Sequence, residues 1–344
     1  MLDTGFYNFG YSGIQQSYRN SQSYQNAQNL QNYQNQEKNN QNTRIPQVRR
    51  GRTNIQISRN VPNSASTSNT RHDWQWYRNL QNRIIGGDQA ERCQWPWLTM
   101  VKTRWICGGS ILSTRFVLTA AHCLWSADFD RPLATNDVIV YAGIGNTKEN
   151  VHNSRLVQTK RLEKIVIHYE WLKSKEKRER VEDDIALIKV DSDFRFDSCV
   201  QPACLPNPNF IETGQPLVGS ICWITGFGDS QGTAFNFVTK QAENPDDLRH
   251  AQIPIVDNLK CSRSLGLPIS DRQMCAGYEN GKVDTCTGDS GGPLVCQTNL
   301  NDPYSFTLTG VVSWGFECAQ ANTPGVYTRV SSYLEWIKNV VNTQ

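Results

Sequence analysis

The chain has 344 residues, enough for one large domain or two small ones with a substantial core. Its 35 basic and 32 acidic residues leave a net charge of only +3, so no global field favours nucleic acid or an anionic membrane as a partner. No stretch approaches the roughly 18 uninterrupted apolar residues of a membrane span, so we expect none.

Residues 1 to about 75 consist mostly of Asn, Gln, Ser and Tyr, as in QNAQNLQNYQNQEKNNQN, with almost no aliphatic side chains. This composition predicts a disordered segment, and a basic linker follows it as far as Arg83. The segment fits a solvated pro-segment, which we favour, or an adhesive, self-associating tail. We therefore expect residues 1–83 to be a disordered Asn/Gln-rich pro-segment and basic linker.

From residue 84 onwards the composition changes, because short apolar runs such as SILSTRFVLTAAHC, DIALIKV and FTLTGVVSWG alternate with Gly, Pro and Asn. Many short runs of this kind predict an antiparallel, all-β domain over residues 84–344. In the tail SSYLEWIKNVVNTQ, Leu334, Ile337, Val340 and Val341 recur at helical spacing. This spacing predicts a single C-terminal helix.

The 11 cysteines begin at Cys93 and are scattered, without the paired C-x-x-C spacing of zinc sites. Such usage is typical of disulfides in an oxidising compartment and predicts a secreted, extracellular protein. The first residues, MLDTGFYNFGYSGIQQSYRN, contain no basic segment followed by a continuous apolar one, so no signal peptide is visible there. The route of export stays open.

Three scattered residues together suggest nucleophilic catalysis. A serine hydroxyl becomes a useful nucleophile only when a base takes its proton and a third group orients that base. Ser290 stands in GDSGGP, His122 in LTAAHC and Asp184 in VEDDIALIKV, each at the edge of an apolar run. Each has an ordinary structural interpretation alone, as a turn serine, a core histidine or a capping carboxylate. Their conjunction favours catalysis.

From Ile84 to Gln344, roughly three quarters of the chain, the sequence resembles a trypsin-like serine protease of the chymotrypsin family. Six motifs in family order carry the resemblance: RIIGG at 83–87, LTAAHC at 118–123, DIALIK at 184–189, TGDSGGPLVC at 287–296, SWG at 313–315 and PGVYTRV at 324–330. The order His, Asp, Ser is also that of chymotrypsin. The resemblance implies two antiparallel six-stranded β-barrels with a C-terminal α-helix, and a serine-type endopeptidase.

By this resemblance, His122 takes the proton from Ser290 while Asp184 orients the imidazole. Asp183 is the neighbouring competitor, but the family places its acid directly before Ile-Ala-Leu, so Asp184 is preferred. The backbone N–H groups of Gly288 and Ser290 are expected to form the oxyanion hole.

The resemblance also places Asp284 at the base of the primary pocket, with Gly315 and Gly325 as its walls and Ser313 and Trp314 lining the cleft. A buried carboxylate there favours a cation, so cleavage after Arg or Lys is expected. The implied partners are protein or peptide substrates with Arg or Lys before the cleaved bond, and protein inhibitors of proteases.

Activation is implied by the motif after Arg83. In the family the zymogen is cut after a basic residue, and the freed α-ammonium, here that of Ile84, pairs with the carboxylate beside the nucleophile, here Asp289. The activating protease is the enzyme itself, since Arg83 fits its own pocket, or an unrelated trypsin-like protease.

Some features depart from the family pattern. Glu317 replaces a glycine at the pocket entrance and Thr287 replaces a glutamine, so subsite preference and inhibitor sensitivity stay open. EWLKSKEKRERVEDD is interpreted as a solvated, charged loop beside the cleft rather than a site for acidic substrates. The family's calcium loop falls near residues 144–158, where GNTKENVHNSRLVQT holds one carboxylate, so we predict no metal and no cofactor.

By position in the family, four disulfides are implied: Cys107 with Cys123, Cys222 with Cys296, Cys261 with Cys275, and Cys286 with Cys318. Cys93, Cys199 and Cys204 remain. Cys93 pairs with Cys199, which we prefer, or with Cys204, and the odd thiol is free or intermolecular.

Two other functions were weighed. One is a non-catalytic protease homologue acting as a binding or clotting cofactor, against which the intact His122, Asp184 and Ser290 count heavily. The other is a structural or adhesive protein, which rests on residues 1–75 alone.

Overall fold

The computed structural model describes residues 84–149, 154–177, 182–207, 215–228, 247–297 and 305–344. The predicted pro-segment and linker, residues 1–83, lie outside the described residues. That boundary stays a prediction.

The first β-barrel is closed and antiparallel, with neighbouring strands in the order β2-β3-β4-β9-β8-β7. Its strands are β2 (Leu98–Lys102), β3 (Ile106–Ile111), β4 (Phe116–Thr119), β7 (Ile139–Ala142), β8 (Gln158–Ile167) and β9 (Ala186–Val190). Apolar side chains fill its interior, among them Val117, Val140 and Leu187, all fully buried. Two short strands form a separate hairpin: β5 (Trp125–Ser126) and β6 (Arg131–Pro132).

The second barrel contains six strands in the order β11-β10-β13-β14-β15-β12, and an additional pairing of β11 with β12 closes it. They are β10 (Ile221–Gly226), β11 (Arg249–Val256), β12 (Gln273–Ala276), β13 (Pro293–Gln297), β14 (Phe306–Trp314) and β15 (Gly325–Arg329). The short β1 (Asp88–Gln89) pairs with the outer side of β11. The predicted architecture of two six-stranded barrels is confirmed.

The C-terminal helix is confirmed as α3 (Leu334–Thr343), in which Ile337 is buried. The structure adds α1 (Tyr169–Lys177) and α2 (Asn258–Leu265), so the expectation of a single helix was wrong. α1 occupies part of the stretch interpreted as a loop and buries Trp171 against Trp125. No helix in the described ranges is long and apolar enough to cross a membrane.

Five disulfides brace the barrels. The structure contains the four bridges implied by the resemblance: Cys107–Cys123, Cys222–Cys296, Cys261–Cys275 and Cys286–Cys318. It also joins Cys93 to Cys199, the partner that was preferred, and leaves Cys204 as a free, exposed thiol.

The Cys93–Cys199 bridge spans 106 residues, so its removal enlarges the conformational freedom of the unfolded chain considerably. We expect the double substitution Cys93→Ser, Cys199→Ser to lower the free energy of unfolding by about 2–5 kcal/mol, measured by denaturant titration. Cys204→Ser is the matched control and should change it by less than about 0.5 kcal/mol, because that thiol is exposed. Equal effects in the two variants would contradict this role of the bridge.

Candidate active site

A histidine and an aspartate meet at the end of the first barrel. His122 lies in the 3₁₀ turn Ala121–Leu124 that follows β4, and Asp184 lies just before β9. Because β4 and β9 are paired, with Thr119 opposite Ala186, the two side chains emerge together. His122 Nδ1 lies 2.7 Å from Asp184 Oδ2, and the backbone N–H of His122 donates to Asp184 Oδ1 at 2.9 Å. The carboxylate therefore fixes both the ring and the backbone of His122.

The Asp184 carboxylate is 1% exposed and is also held by the second barrel. Ser313 Oγ of β14 donates to Asp184 Oδ2 at 2.6 Å, and Thr328 Oγ1 of β15 donates to the Asp184 carbonyl at 2.9 Å. Burial alone raises the pKa of Asp184, but His122 and the hydrogen bonds outweigh it and hold this pKa below its usual value. Asp184 is therefore a fixed anion.

Asp183, the competing carboxylate, has different partners. Its side chain is 3% exposed, accepts a hydrogen bond from Tyr333 Oη at 2.8 Å and lies 3.3 Å from Arg272 Nη1. Of the two neighbouring aspartates, the structure places Asp184 against His122.

The turn that carries Ser290 packs backbone against backbone on the first barrel. The Ser290 carbonyl accepts a hydrogen bond from Gly108 N of β3 at 2.8 Å. A Cβ on Gly108 would lie 2.6 Å from the Cα of Gly292, so only glycine permits this approach. Cys123 Sγ lies 3.5 Å from the Ser290 carbonyl and 3.8 Å from His122 Nε2. The Cys107–Cys123 disulfide therefore sits between the serine turn and the imidazole.

Two backbone donors lie in the same turn. Gly288 has a φ of 104°, which side-chain-bearing residues rarely adopt. Among the described residues, no acceptor meets the backbone N–H of Gly288 or of Ser290. Two unengaged N–H groups beside a serine can stabilise an oxygen that becomes negative.

The neighbouring carboxylate, Asp289, is 1% exposed. It accepts hydrogen bonds from Gly228 N at 2.7 Å and from Cys286 N at 3.0 Å. A Cβ on Gly226 or on Gly228 would overlap its carboxylate, so both glycines are needed for its burial. This anion braces the serine turn against the loop after β10.

Ile84, the first described residue, is fully buried in the core of the second barrel. Its φ of 43° lies in the left-handed region, a strained conformation for a β-branched residue. Next to it, Ile85 forms an isolated β-bridge with Asp284, whose N–H donates to the Ile85 carbonyl at 3.3 Å. The segment that begins at Ile84 is thus hydrogen-bonded to the segment that carries Asp284.

Asp284 is 5% exposed and lies beside Gly325. It accepts hydrogen bonds from Thr285 N at 2.8 Å and Ala319 N at 3.1 Å, and a Cβ on Gly325 would lie 3.1 Å from its Oδ1. A Cβ on Gly315 would meet nothing within 4 Å, so that glycine borders open space. Burial raises the pKa of Asp284 to about 7.

Three other residues named from the resemblance differ in exposure. Trp314 is half-buried and its ring meets that of Phe316 edge-on at 6.1 Å. Glu317 and Thr287 are exposed. Sequence reasoning did not assign Phe316.

Two further contributors were also missed. Thr285, next to Asp284 in the chain, has its Oγ1 3.4 Å from Tyr327 Oη. Thr328 Oγ1 donates a hydrogen bond to the Asp184 carbonyl. Both stand in or beside a quoted motif, and only the fold shows what they contact.

Two groups of side chains were considered as metal ligands: Cys107, His122 and Cys123, and the carboxylate of Glu149. Ligand atoms of Cys107, His122 and Cys123 lie within 4.8 Å of one another, but both sulfurs belong to a disulfide and cannot act as thiolate ligands. Glu149, the carboxylate of the predicted calcium loop, lies 2.7 Å from Arg92 Nη2. Part of that loop, residues 150–153, lies outside the described residues.

Comparison with known proteins agrees with this geometry. The family model described as Trypsin matches residues 84–337, and the chain belongs to this family of trypsin-like serine proteases, with the chymotrypsin fold and serine-type endopeptidase activity. Among curated proteins, it is similar to "Serine protease 41" of Homo sapiens. The two are 34% identical over 276 residues, which cover 77% of this chain and 79% of the relative.

The glycines of the site provide a matched pair of tests. Gly226→Ala would push a methyl group into the buried Asp289 carboxylate, so we expect the free energy of unfolding to fall by about 3 kcal/mol, measured by denaturant titration. Gly315→Ala adds the same methyl group in open space and should change it by less than about 0.5 kcal/mol. A Gly226→Ala variant as stable as the parent would contradict the described packing around Asp289.

Proposed function

We propose that this protein is a secreted serine endopeptidase that hydrolyses peptide bonds after Arg or Lys, and that cleavage between Arg83 and Ile84 activates it. The carrying observation is the contact of His122 Nδ1 with the buried Asp184 carboxylate at 2.7 Å, with the Ser290 carbonyl 3.5 Å from Sγ of Cys123, the residue next to that histidine. His122, Asp184 and Ser290 act as base, orienting acid and nucleophile.

The geometry supports acyl-enzyme chemistry in two steps. Ser290 Oγ attacks the substrate carbonyl carbon while His122 Nε2 takes the hydroxyl proton, and Asp184 stabilises the imidazolium that results. The carbonyl oxygen becomes an oxyanion and accepts hydrogen bonds from the N–H groups of Gly288 and Ser290. His122 then gives its proton to the leaving amine as the C–N bond breaks. A water molecule then attacks the carbonyl carbon of the resulting acyl-enzyme ester while His122 takes its proton, and His122 gives that proton to Ser290 Oγ as the ester C–O bond breaks.

Specificity for Arg or Lys is supported by the buried carboxylate of Asp284 beside Gly325, and by the open space next to Gly315. An empty pocket keeps this carboxyl partly protonated at neutral pH, since burial raises its pKa to about 7. A guanidinium or ammonium group favours the ionised form, and the pair gains from exclusion of water. The Thr285 hydroxyl beside Asp284 offers the bound cation a further oxygen. Ser313, Trp314 and Phe316 line the path along which the substrate backbone would lie.

Activation is supported by Ile84 and Asp289. Cleavage after Arg83 frees the α-amino group of Ile84, and its positive charge pairs with the buried Asp289 carboxylate. It also removes the strain at Ile84, because a residue without a preceding peptide bond has no φ to constrain. Asp289 is hydrogen-bonded to Gly228 and lies next to Ser290, so pairing there orders the oxyanion hole and the pocket together.

The proposed location rests on the disulfides, and the proposed partners rest on the proposed specificity for Arg or Lys. Five disulfides are typical of an oxidising compartment, which supports secretion. The proposed partners are protein substrates with exposed Arg or Lys, protein inhibitors that occupy the same cleft, and an activating protease or the enzyme itself.

Labelling with a fluorophosphonate tests catalysis. After cleavage at Arg83, we expect the probe to react with Ser290, identified by peptide mass spectrometry, and Ser290→Ala to give no labelling. Arg83→Gln blocks the cut and should lower the labelling rate by about 100-fold, because the oxyanion hole stays unformed.

Clean cleavage without labelling would contradict the enzyme and favour the non-catalytic cofactor. Equal labelling of the cut protein and the Arg83→Gln variant would contradict the activation step alone.

The Asp284 carboxyl predicts a pH dependence of cation binding. It is mostly neutral below pH 7 and charged above it, so affinity for a small aryl amidinium should rise with pH through this range. We expect Kd to fall about tenfold between pH 6 and pH 8, measured by calorimetry, as the ionised fraction rises. Asp284→Asn should bind weakly at every pH. A pH-independent Kd in the parent enzyme would contradict the assignment.

A further inference from the structure

A second charged cluster lies behind the His122–Asp184 pair. Arg272, in the loop before β12, lies 3.3 Å from the Asp183 carboxylate through Nη1 and 2.8 Å from the Glu182 carboxylate through Nη2. Tyr333 Oη donates to the same Asp183 oxygen at 2.8 Å. The residue next to the candidate catalytic acid is therefore held by two side chains from outside its own barrel.

The backbone at Asp183 is strained in a way that affects Asp184. Asp183 has a φ of 54°, in the left-handed region that aspartate tolerates at a cost. Its carbonyl accepts a hydrogen bond from Ile185 N at 2.7 Å, which closes a three-residue turn centred on Asp184. Any relaxation at Asp183 changes the direction in which the Asp184 side chain points.

The charges at this turn also require compensation. Asp183 and Asp184 are adjacent and are 3% and 1% exposed, so two like charges share a site of low dielectric. His122 faces Asp184, whereas the cation that contacts Asp183 is Arg272. His168 packs its ring against Tyr333 at 5.1 Å, but burial lowers its pKa, so it stays neutral near pH 7. The Arg272 side chain is 45% exposed, so water weakens but does not abolish its effect on the buried Asp183.

We propose that Arg272 is a positioning residue for the catalytic aspartate: it neutralises Asp183 and so holds the left-handed turn that aims Asp184 at His122. This inference rests on the proposed function. The ion pair of Arg272 with Asp183 would link the second barrel to the segment that carries Asp184. It would add to the hydrogen bonds that Ser313 and Thr328 donate to Asp184. Arg272 itself contacts neither the imidazole nor the Asp184 carboxylate in any described interaction.

The test is Arg272→Met in the cleaved enzyme, assayed on a peptide substrate with Arg before the cleaved bond. The variant leaves Asp183 without its cation, so we expect kcat per fluorophosphonate-labelled site to fall about fivefold, since a small misplacement of the acid is costly. KM should stay within about twofold, because Arg272 has no described contact with Asp284. Arg263→Met is the matched control, an exposed arginine of α2 in the same barrel, and should leave both constants unchanged.

Rescue separates positioning from a general loss of stability. Asp183→Asn in the Arg272→Met background removes the unpaired charge, and asparagine readily adopts the left-handed conformation and can still accept from Tyr333. We expect kcat to return to within about twofold of the parent. An unchanged kcat in Arg272→Met, or a double variant as impaired as that single variant, would overturn the positioning role. A parent enzyme that fails to label at Ser290 would instead overturn the proposed function, and this role with it.

Discussion

The buried carboxylate of Asp289 is the constraint on which the serine turn depends. It is 1% exposed, and it accepts hydrogen bonds from the backbone N–H groups of Gly228, in the loop after β10, and of Cys286, before the serine turn. Burying a carboxylate is costly, and a cation paired with it offsets part of that cost. We propose that the α-ammonium of Ile84, freed by a cut after Arg83, is such a cation, which would make the geometry of Ser290 depend on that cut.

The site is divided between the two barrels, and hydrogen bonds from each barrel stabilise the residues of the other. The first barrel supplies His122 and Asp184, while the second supplies Ser290 and the hydroxyl of Ser313 that holds Asp184. The backbone contact of Gly108 with the serine turn leaves no room for side chains, so the two halves approach closely. In the proposed mechanism, small displacements between the barrels would separate His122 from Ser290. In the proposed mechanism, polar contacts such as those of Arg272 with Asp183 and of Thr328 with Asp184 would therefore affect catalysis as well as stability.

Much of this was predictable from the sequence, because the motifs are short and their residues act locally. The all-β fold, the C-terminal helix and the candidate residues His122, Asp184, Ser290 and Asp284 all followed from patterns or resemblance. Helix α2 was missed although Asp257 caps its start and Gly266 ends it, since the eight-residue segment lies between strands. The contacts of Arg272 with Asp183 and of Thr328 with Asp184 join residues 89 and 144 positions apart, and no local pattern records them.

The central claim is that a cut after Arg83 assembles the site, and the N-terminal sequence of the active enzyme tests it most directly. The purified protein is separated into fractions with and without peptidase activity, and each fraction is sequenced from its amino terminus. The account predicts that the active fraction begins Ile-Ile-Gly-Gly, the sequence that starts at Ile84. Full activity in protein that retains the bond between Arg83 and Ile84 would contradict it.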